Sequence, residues 1–450
     1  MHTVTSQRDS AIDFVRALAI AGVVILHSLM VGVTLSPDGP VFANAGDVGG
    51  WIVPVSWVMQ VMPMFFVVGG FAGITALRAQ RRRGASCSAF AVSRVRRLLI
   101  PAIASVGTAG VLLALLSDAG LDPELVDVAG YRYGQPLWFL GVFLVLQAVL
   151  PAMARLHERA PLRTLAALAA VSLVVDVARV ISHADGIGYL NLLFVWLTLQ
   201  QLGFLLADGR IDALSSRTRI TAAAVALGLL LVSFGTGFHS PDLIANTNPP
   251  TTALLLVGII HTAAFSLFKQ RLTAFADRRP VAAFTRFMSA RAMTVYLWHM
   301  PVLLTLAGLT ALSGIVTGDQ LPAPTSGEWW LSRPLWLVCT LGATALLTLP
   351  LSRLERITAP IDTTPSRATV AVLLGAAGVV VLLVAGTSPV TATIAIGSWL
   401  IALRITGMLR TSTPEIVISR STVRDVARIP HGYQSPQQRK RSATTSRSVR

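Results

Sequence analysis

The stretch R-D-S-A-I-D-F-V-R-A-L-A-I-A-G-V-V-I-L-H-S-L-M-V-G-V, residues 8–33, decides the fold class. Its apolar run from Ile12 to Val33 is long enough for a helix to cross a hydrocarbon layer of about 30 Å at 1.5 Å per residue. The run is too long for a cleavable leader and has no A-x-A site ending a short apolar region, so it reads as a retained first span. Three polar side chains interrupt it at helical spacing. Asp13 lies one turn before Arg16, and Arg16 and His27 are three turns apart, so all three form a polar stripe on one face. The rise per residue separates Arg16 from His27 by ~16 Å along the axis. Polar groups inside a membrane span are costly to bury, and a stripe of them points to function rather than packing.

The same pattern recurs along the chain. Of 450 residues, 53% are hydrophobic and only 13% charged, more apolar surface than a soluble core of this length can bury. Candidate spans fall near 12–34, 51–77, 98–117, 137–154, 162–181, 188–207, 218–236, 250–268, 292–313, 330–351, 368–386 and 391–409, the last being the weakest. The expected fold is therefore an all-α polytopic membrane bundle of about twelve helices.

The loops give an independent test, because cytoplasmic loops collect Arg and Lys. Residues 36–50 hold no basic side chain, whereas the next loop carries Arg78, Arg81, Arg82, Arg83, Arg94, Arg96 and Arg97. The alternation continues through an acidic loop with Asp118, Asp122, Glu124 and Asp127 to a basic one with Arg155, Arg159 and Arg163. It recurs at Lys269 to Arg291 and at Arg353 to Arg367. The pattern predicts a plasma-membrane protein with both termini cytoplasmic. A net charge of +16 distributed in this way reflects orientation in the bilayer, not a nucleic-acid-binding face. The two cysteines, Cys87 in a basic loop and Cys339 in an apolar run, suggest no disulfide framework. Residues 411–450 are rich in Ser, Thr, Arg and Gln and are expected to form a disordered basic cytoplasmic tail.

Around the first stripe the sequence resembles the acyltransferase 3 family, membrane enzymes that move acyl groups, often acetyl, from acyl-coenzyme A to hydroxyls. The family's first-helix signature is an Arg, ten residues, then a His, with an acidic residue shortly before the Arg. Arg16, His27 and Asp13 in I-D-F-V-R match it. Further matches follow in order: M-P-M-F-F-V-V-G-G-F (62–71), R-V-R-R-L-L-I-P (94–101), P-L-W-F-L (136–140) and M-T-V-Y-L-W-H (293–299). Gly69 departs from the pattern, standing where many members carry Ser. The resemblance covers roughly residues 8–356. It implies a ten-helix acyltransferase domain over 1–360, with two additional transmembrane helices over 361–410.

The resemblance also implies site roles. Transfer from a thioester to an alcohol needs a base, and His27 is the natural one, since a neutral imidazole can accept the hydroxyl proton. Coenzyme A is strongly anionic, which suits arginines at the cytoplasmic rim. Arg94 and Arg97, three apart on one helix face, match the family's R-x-x-R and are the expected cofactor-binding pair. Arg16 is expected to bind the same phosphates or order the pantetheine arm, with Asp13 beside it. His299 and Tyr296, one turn apart, are accessory candidates for the same cavity. Trp138 is either a headgroup anchor, the reading its interfacial position favours, or part of an acceptor mouth. His261, and an Asp176–Arg179 pair compensating one another, are further intramembrane polar groups. No metal ligand set is expected. Acyl-CoA is the expected donor and a hydroxyl-bearing acceptor, a carbohydrate by family analogy, the expected partner. The alternative is a proton-coupled secondary transporter, against which stands the absence of a visible duplication or of paired interrupted helices.

Overall fold

Hydropathy sets how many helices there are; proline and turn chemistry set where they end. The computed structural model describes residues 9–355 and 363–407, and the tail expected over 411–450 lies outside these. The helices in chain order are α1 (Ser10–Met30), α2 (Ile52–Met59), α3 (Met62–Arg82), α4 (Cys87–Asp118), α5 (Pro123–Gly134), α6 (Trp138–Arg159), α7 (Pro161–Ser182) and α8 (Asn191–Ala207). They continue with α9 (Ser216–Gly235), α10 (Ala253–Ala276), α11 (Arg279–Ala290), α12 (Ala292–Thr317), α13 (Gly327–Leu351), α14 (Pro365–Val384) and α15 (Pro389–Ile405). Among the described residues, eleven helical segments are long and apolar enough to cross a membrane. The chain is an all-α polytopic membrane bundle. The span expected near 391–409 is α15, a helix of 17 residues that is shorter than those eleven.

Several boundaries differ from expectation, the first two for a local reason. The first span stops at Met30, not near residue 34, and the chain turns into an antiparallel hairpin of β1 (Val31–Ser36) and β2 (Gly39–Asn44). The S-P-D-G-P sequence at residues 36–40 explains it: Pro and Asp suit a turn, and Gly39 takes φ 128° without a Cβ penalty. The span expected over 51–77 is broken at Gln60 and Val61, between α2 and α3. Pro63 lacks the amide hydrogen that would continue α2, and its ring would crowd the carbonyl four residues back. Two stretches expected to be loops are short helices, α5 and α11, and α4 begins at Cys87, so that Arg94 and Arg97 lie within a helix.

Small residues let α3 and α8 touch backbone to backbone. A Cβ on Gly70 would meet the Gln200 carbonyl oxygen, and one on Gly203 would meet that of Val67. Close approach of this kind is how membrane helices gain dispersion energy where lipid is as apolar as leucine. At the basic end of the same helices, Asp208 closes a clasp. It accepts from Arg78 at 2.6 Å and from His157 Nε2 at 2.9 Å, while Gln201 donates to His157 Nδ1 at 2.7 Å.

Replacing Gly203 by leucine should overpack the α3–α8 crossing at a cost of about 3 kcal/mol. The expected readout is a lower melting temperature and loss of monodisperse protein in detergent. Gly69→Ser, whose nearest neighbour would be Phe143 Cε2 at 3.9 Å, should melt like the parent. The clasp predicts a pH effect. Burial alone would raise the Asp208 carboxyl, but hydrogen bonds from Arg78 and His157 hold it below the usual carboxylate range. Its stabilisation is therefore complete above the unfolded-state carboxylate value and is lost as pH falls through the lower folded one. Asp208→Asn should lower the melting temperature at neutral pH and flatten its decline on acidification, measured by thermal scans across the carboxylate range.

Candidate active site

The first helix carries the central residue because its sequence allows an uninterrupted run. Asp9 caps it by accepting from the Ile12 amide at 3.2 Å, and no Gly or Pro breaker stands between Gly22 and Met30. His27 lies near the far end, half-buried. Its Nδ1 is 2.8 Å from the Val23 carbonyl oxygen. A carbonyl can only accept, so Nδ1 carries the hydrogen and Nε2 keeps the lone pair. The imidazole is thus held in a tautomer whose Nε2 can accept a proton.

The end of α1 is fastened by α13. Trp336 Nε1 donates to the Ser28 carbonyl at 3.1 Å, Ser28 Oγ donates to Thr340 Oγ1 at 3.2 Å, and Arg333 donates to the Val31 carbonyl at 3.2 Å. Arg333 lies over the rings of Trp329 and Trp336, 4.3 and 4.9 Å from their centroids. These contacts saturate carbonyls at the helix end that would otherwise be left unpaired.

His299 of α12 stands beside His27 with ring centroids 5.1 Å apart. Its Nδ1 donates to the Tyr296 carbonyl at 2.5 Å, and its Nε2 is buried without a partner. His299 is fully buried behind His27; it is Ala292, Met293 and Tyr296 that reach the cavity wall from α12. The Tyr296 hydroxyl donates to the Pro136 carbonyl at 2.6 Å, which ties α12 to the start of α6.

His27 lines a cavity of about 240 Å³. On α1 the cavity starts at Ile20, one turn beyond Arg16, and extends past His27 to Met30. Trp138 lines it too, stacked on Trp196 at 5.8 Å and 21°. The tryptophan expected to anchor among headgroups instead faces inward, because Trp196 and Phe66 offer it an aromatic stack. The polar wall opposite comes from residues that the sequence reading did not single out: Gln60, Gln135, Thr247 and Asn248. Gln60 sits at the break between α2 and α3 and donates to the Leu243 carbonyl at 2.6 Å and to Thr247 Oγ1 at 2.8 Å. The proline three residues on was the sign that the helix breaks here, although the Gln60 backbone amide still donates to the Ser56 carbonyl at 2.9 Å.

The segment bearing Thr247 and Asn248 is itself anchored by Asp176. That carboxylate accepts from the Thr252 amide at 2.6 Å and hydroxyl at 2.7 Å, from His239 at 3.3 Å and from Asn191 at 2.8 Å. The expected Asp176–Arg179 pair is therefore corrected. Asp176 points inward from α7 to cap α10 at Thr252, and neutral donors with His239 satisfy it.

The basic residues group at the other end of α1. Arg16 donates to Asp13 at 2.8 Å and to Ser289 of α11 at 3.3 Å. Asp13 is ~21 Å from His27 along the helix axis, so its role is to orient Arg16 and not the imidazole. Arg94 of α4 has its guanidinium 4.9 Å from the Phe90 ring centroid and a buried Nε without a partner. The cations within its electrostatic reach are Arg97 and Arg16. Three arginines from two helices thus converge about three turns from His27, with the cavity between. One anion already joins the group, the Asp13 carboxylate 2.8 Å from Arg16.

The site is a largely apolar chamber with a half-buried imidazole in its wall, and the arginines lie beyond its lining toward the start of α1. A family model described as an acyltransferase domain matches residues 9–353, from α1 to the end of α13. No curated protein and no solved structure matches. The match spans about three quarters of the chain and contains every residue of this site, so the protein belongs to the acyltransferase 3 family and is a membrane acyltransferase.

Proposed function

We propose that the protein transfers an acyl group, acetyl being the simplest, from acyl-coenzyme A to a hydroxyl group. A carbohydrate, cell-envelope glycan or secondary metabolite is the acceptor class the family suggests. The observation that carries this reading is the His27 tautomer: an imidazole with Nδ1–H bonded to a backbone carbonyl and Nε2 free beside a chamber.

In this reading the donor enters from the cytoplasmic side. Arg94, Arg97 and Arg16 bind its phosphates by charge-assisted hydrogen bonds, for which a guanidinium fork is better shaped than an ammonium. The pantetheine arm spans the ~16 Å from Arg16 to His27. His27 Nε2 takes the proton from the acceptor hydroxyl as its oxygen attacks the thioester carbonyl. The tetrahedral intermediate collapses by breaking the carbon–sulfur bond, and the imidazolium returns its proton to the departing thiolate. The amide groups of Gln135 and Asn248 are the cavity donors nearest in kind to what a developing oxyanion needs. His299 holds the second imidazole against the first and positions it.

His27→Ala should reduce label transfer from radiolabelled acetyl-coenzyme A in membranes supplied with an envelope or metabolite extract by 10²-fold or more, at matched protein levels. Equal transfer by parent and variant would reduce His27 to a packing residue and remove the mechanism. The arginines make a separate prediction. Arg94→Lys and Arg97→Lys should each raise the KM for acyl-coenzyme A about tenfold with little change in kcat. Arg94→Gln and Arg97→Gln, which remove the charge that lysine keeps, should show a weaker dependence of KM on salt, measured by initial rates over a series of ionic strengths.

A further inference from the structure

A second hollow of about 250 Å³ lies on the other side of α1, between α1, the α2–α3 break and α10. Its walls are apolar, formed chiefly by Val15, Leu18, Val58, Met64, Phe265 and Leu272. Leu18 and Val58 are 46% and 72% exposed, so the hollow opens sideways from the bundle toward the hydrocarbon layer. From His261 to Leu272 it follows α10 for ~16 Å. What meets such a surface is the chain of a lipid.

Two features distinguish it from an ordinary crevice between helices. One is His261, whose imidazole forms part of the wall and whose Nδ1 is enclosed without a hydrogen-bond partner. An unpaired imidazole in an apolar, membrane-facing wall is costly, and among the described residues no group of the protein satisfies that nitrogen. The other is the partition. Gln60 and Val61 line both this groove and the chamber of His27, so the two hollows share a wall at a non-helical break beside α1. Val61 rests against α1 where a Cβ on Gly22 would lie 3.1 Å from its Cγ1. A side chain in place of that glycine would have to displace the partition.

We infer that this groove is a binding site for a membrane-dissolved lipid alcohol, which reaches the His27 chamber laterally past Gln60 and Val61. Its chain lies along α10 and α1, and its hydroxyl pairs with His261 before it passes to His27. The inference rests on the proposed transfer to hydroxyls and, in place of the carbohydrate that the family suggests, names an acceptor that arrives through the bilayer. The groove's apolar walls favour a single unbranched or prenyl chain over a free sugar.

The test uses purified protein in nanodiscs of phosphatidylcholine and phosphatidylglycerol. The probe is a long-chain primary alcohol with a diazirine in its chain, and labelled peptides are identified by mass spectrometry. Saturable labelling of the α1 and α10 segments that line the groove is expected. Ala264→Trp places an indole in the groove from an exposed position, so it should melt like the parent while labelling falls at least tenfold. His261→Leu should raise the half-saturating probe concentration about fivefold, the scale of one hydrogen bond. Labelling that never saturates or spreads evenly over the lipid-facing helices would mean annular lipid only and would overturn the site, as would unchanged labelling of Ala264→Trp. His27→Ala separates the two readings, because it should abolish transfer yet label as the parent does. Normal transfer by that variant would overturn the catalytic reading and leave the groove standing.

Discussion

The hydrogen bond from His27 Nδ1 to the Val23 carbonyl is the interaction on which the site depends. Inside a bilayer there is no water to satisfy a ring nitrogen, so an imidazole must spend one nitrogen on the protein to be tolerated. Spending Nδ1 on its own helix leaves Nε2 available and directed away from the backbone. The same solution appears in His299, whose Nδ1 turns to the Tyr296 carbonyl three residues back. Two imidazoles in one tautomer, ring against ring, give a neutral pair that can receive a proton without first losing one.

A base on a single helix is only as well placed as that helix. Each end of α1 is held by a different partner: α13 at the His27 end, through Trp336, Thr340 and Arg333, and α11 at the Arg16 end, through Ser289. The chamber between them is closed on its polar side by a segment anchored through Asp176 and Gln60. Ser28, Thr340, Asp176 and Gln60 among these anchors are buried polar groups, for which going unpaired would cost more than the bond yields in water. These polar residues therefore mark the clamps that position the chamber.

The fold was legible in the sequence to the extent that lipid dictates it. Spans follow from the length of apolar runs, and their order was recovered from α1 to α14. What was not legible depends on single residues whose effect is local. The turn at Pro37–Asp38–Gly39 ends α1 early, and Pro63 breaks the second span. The stripe of Asp13, Arg16 and His27 was readable because helical spacing fixes a face. The partners of polar groups were harder, since they come from distant segments: Trp138 finds Trp196, and Asp176 finds Thr252 and not the nearby Arg179. Gln60 could be located only after the helix break had been seen, because in sequence it is one glutamine among apolar neighbours.

The helices beyond the matched domain bear on the site through packing. α14 and α15 form a hairpin in which Trp399 Nε1 donates to the Gly375 carbonyl at 2.9 Å, and both helices lie against α4. A Cβ on Gly110 of α4 would meet Ala392 of α15 at 2.8 Å, and one on Gly375 would meet Leu144 of α6 at 3.0 Å. These are contacts between surfaces with no room for a side chain, so the hairpin fixes the position of α4 relative to α6. Since α4 carries Arg94 and Arg97 and α6 begins with Trp138, the extension braces the helix that bears these arginines and the helix at the chamber wall together. Helices that contribute no residue to the chamber thereby constrain two elements between which the proposed donor would have to fit.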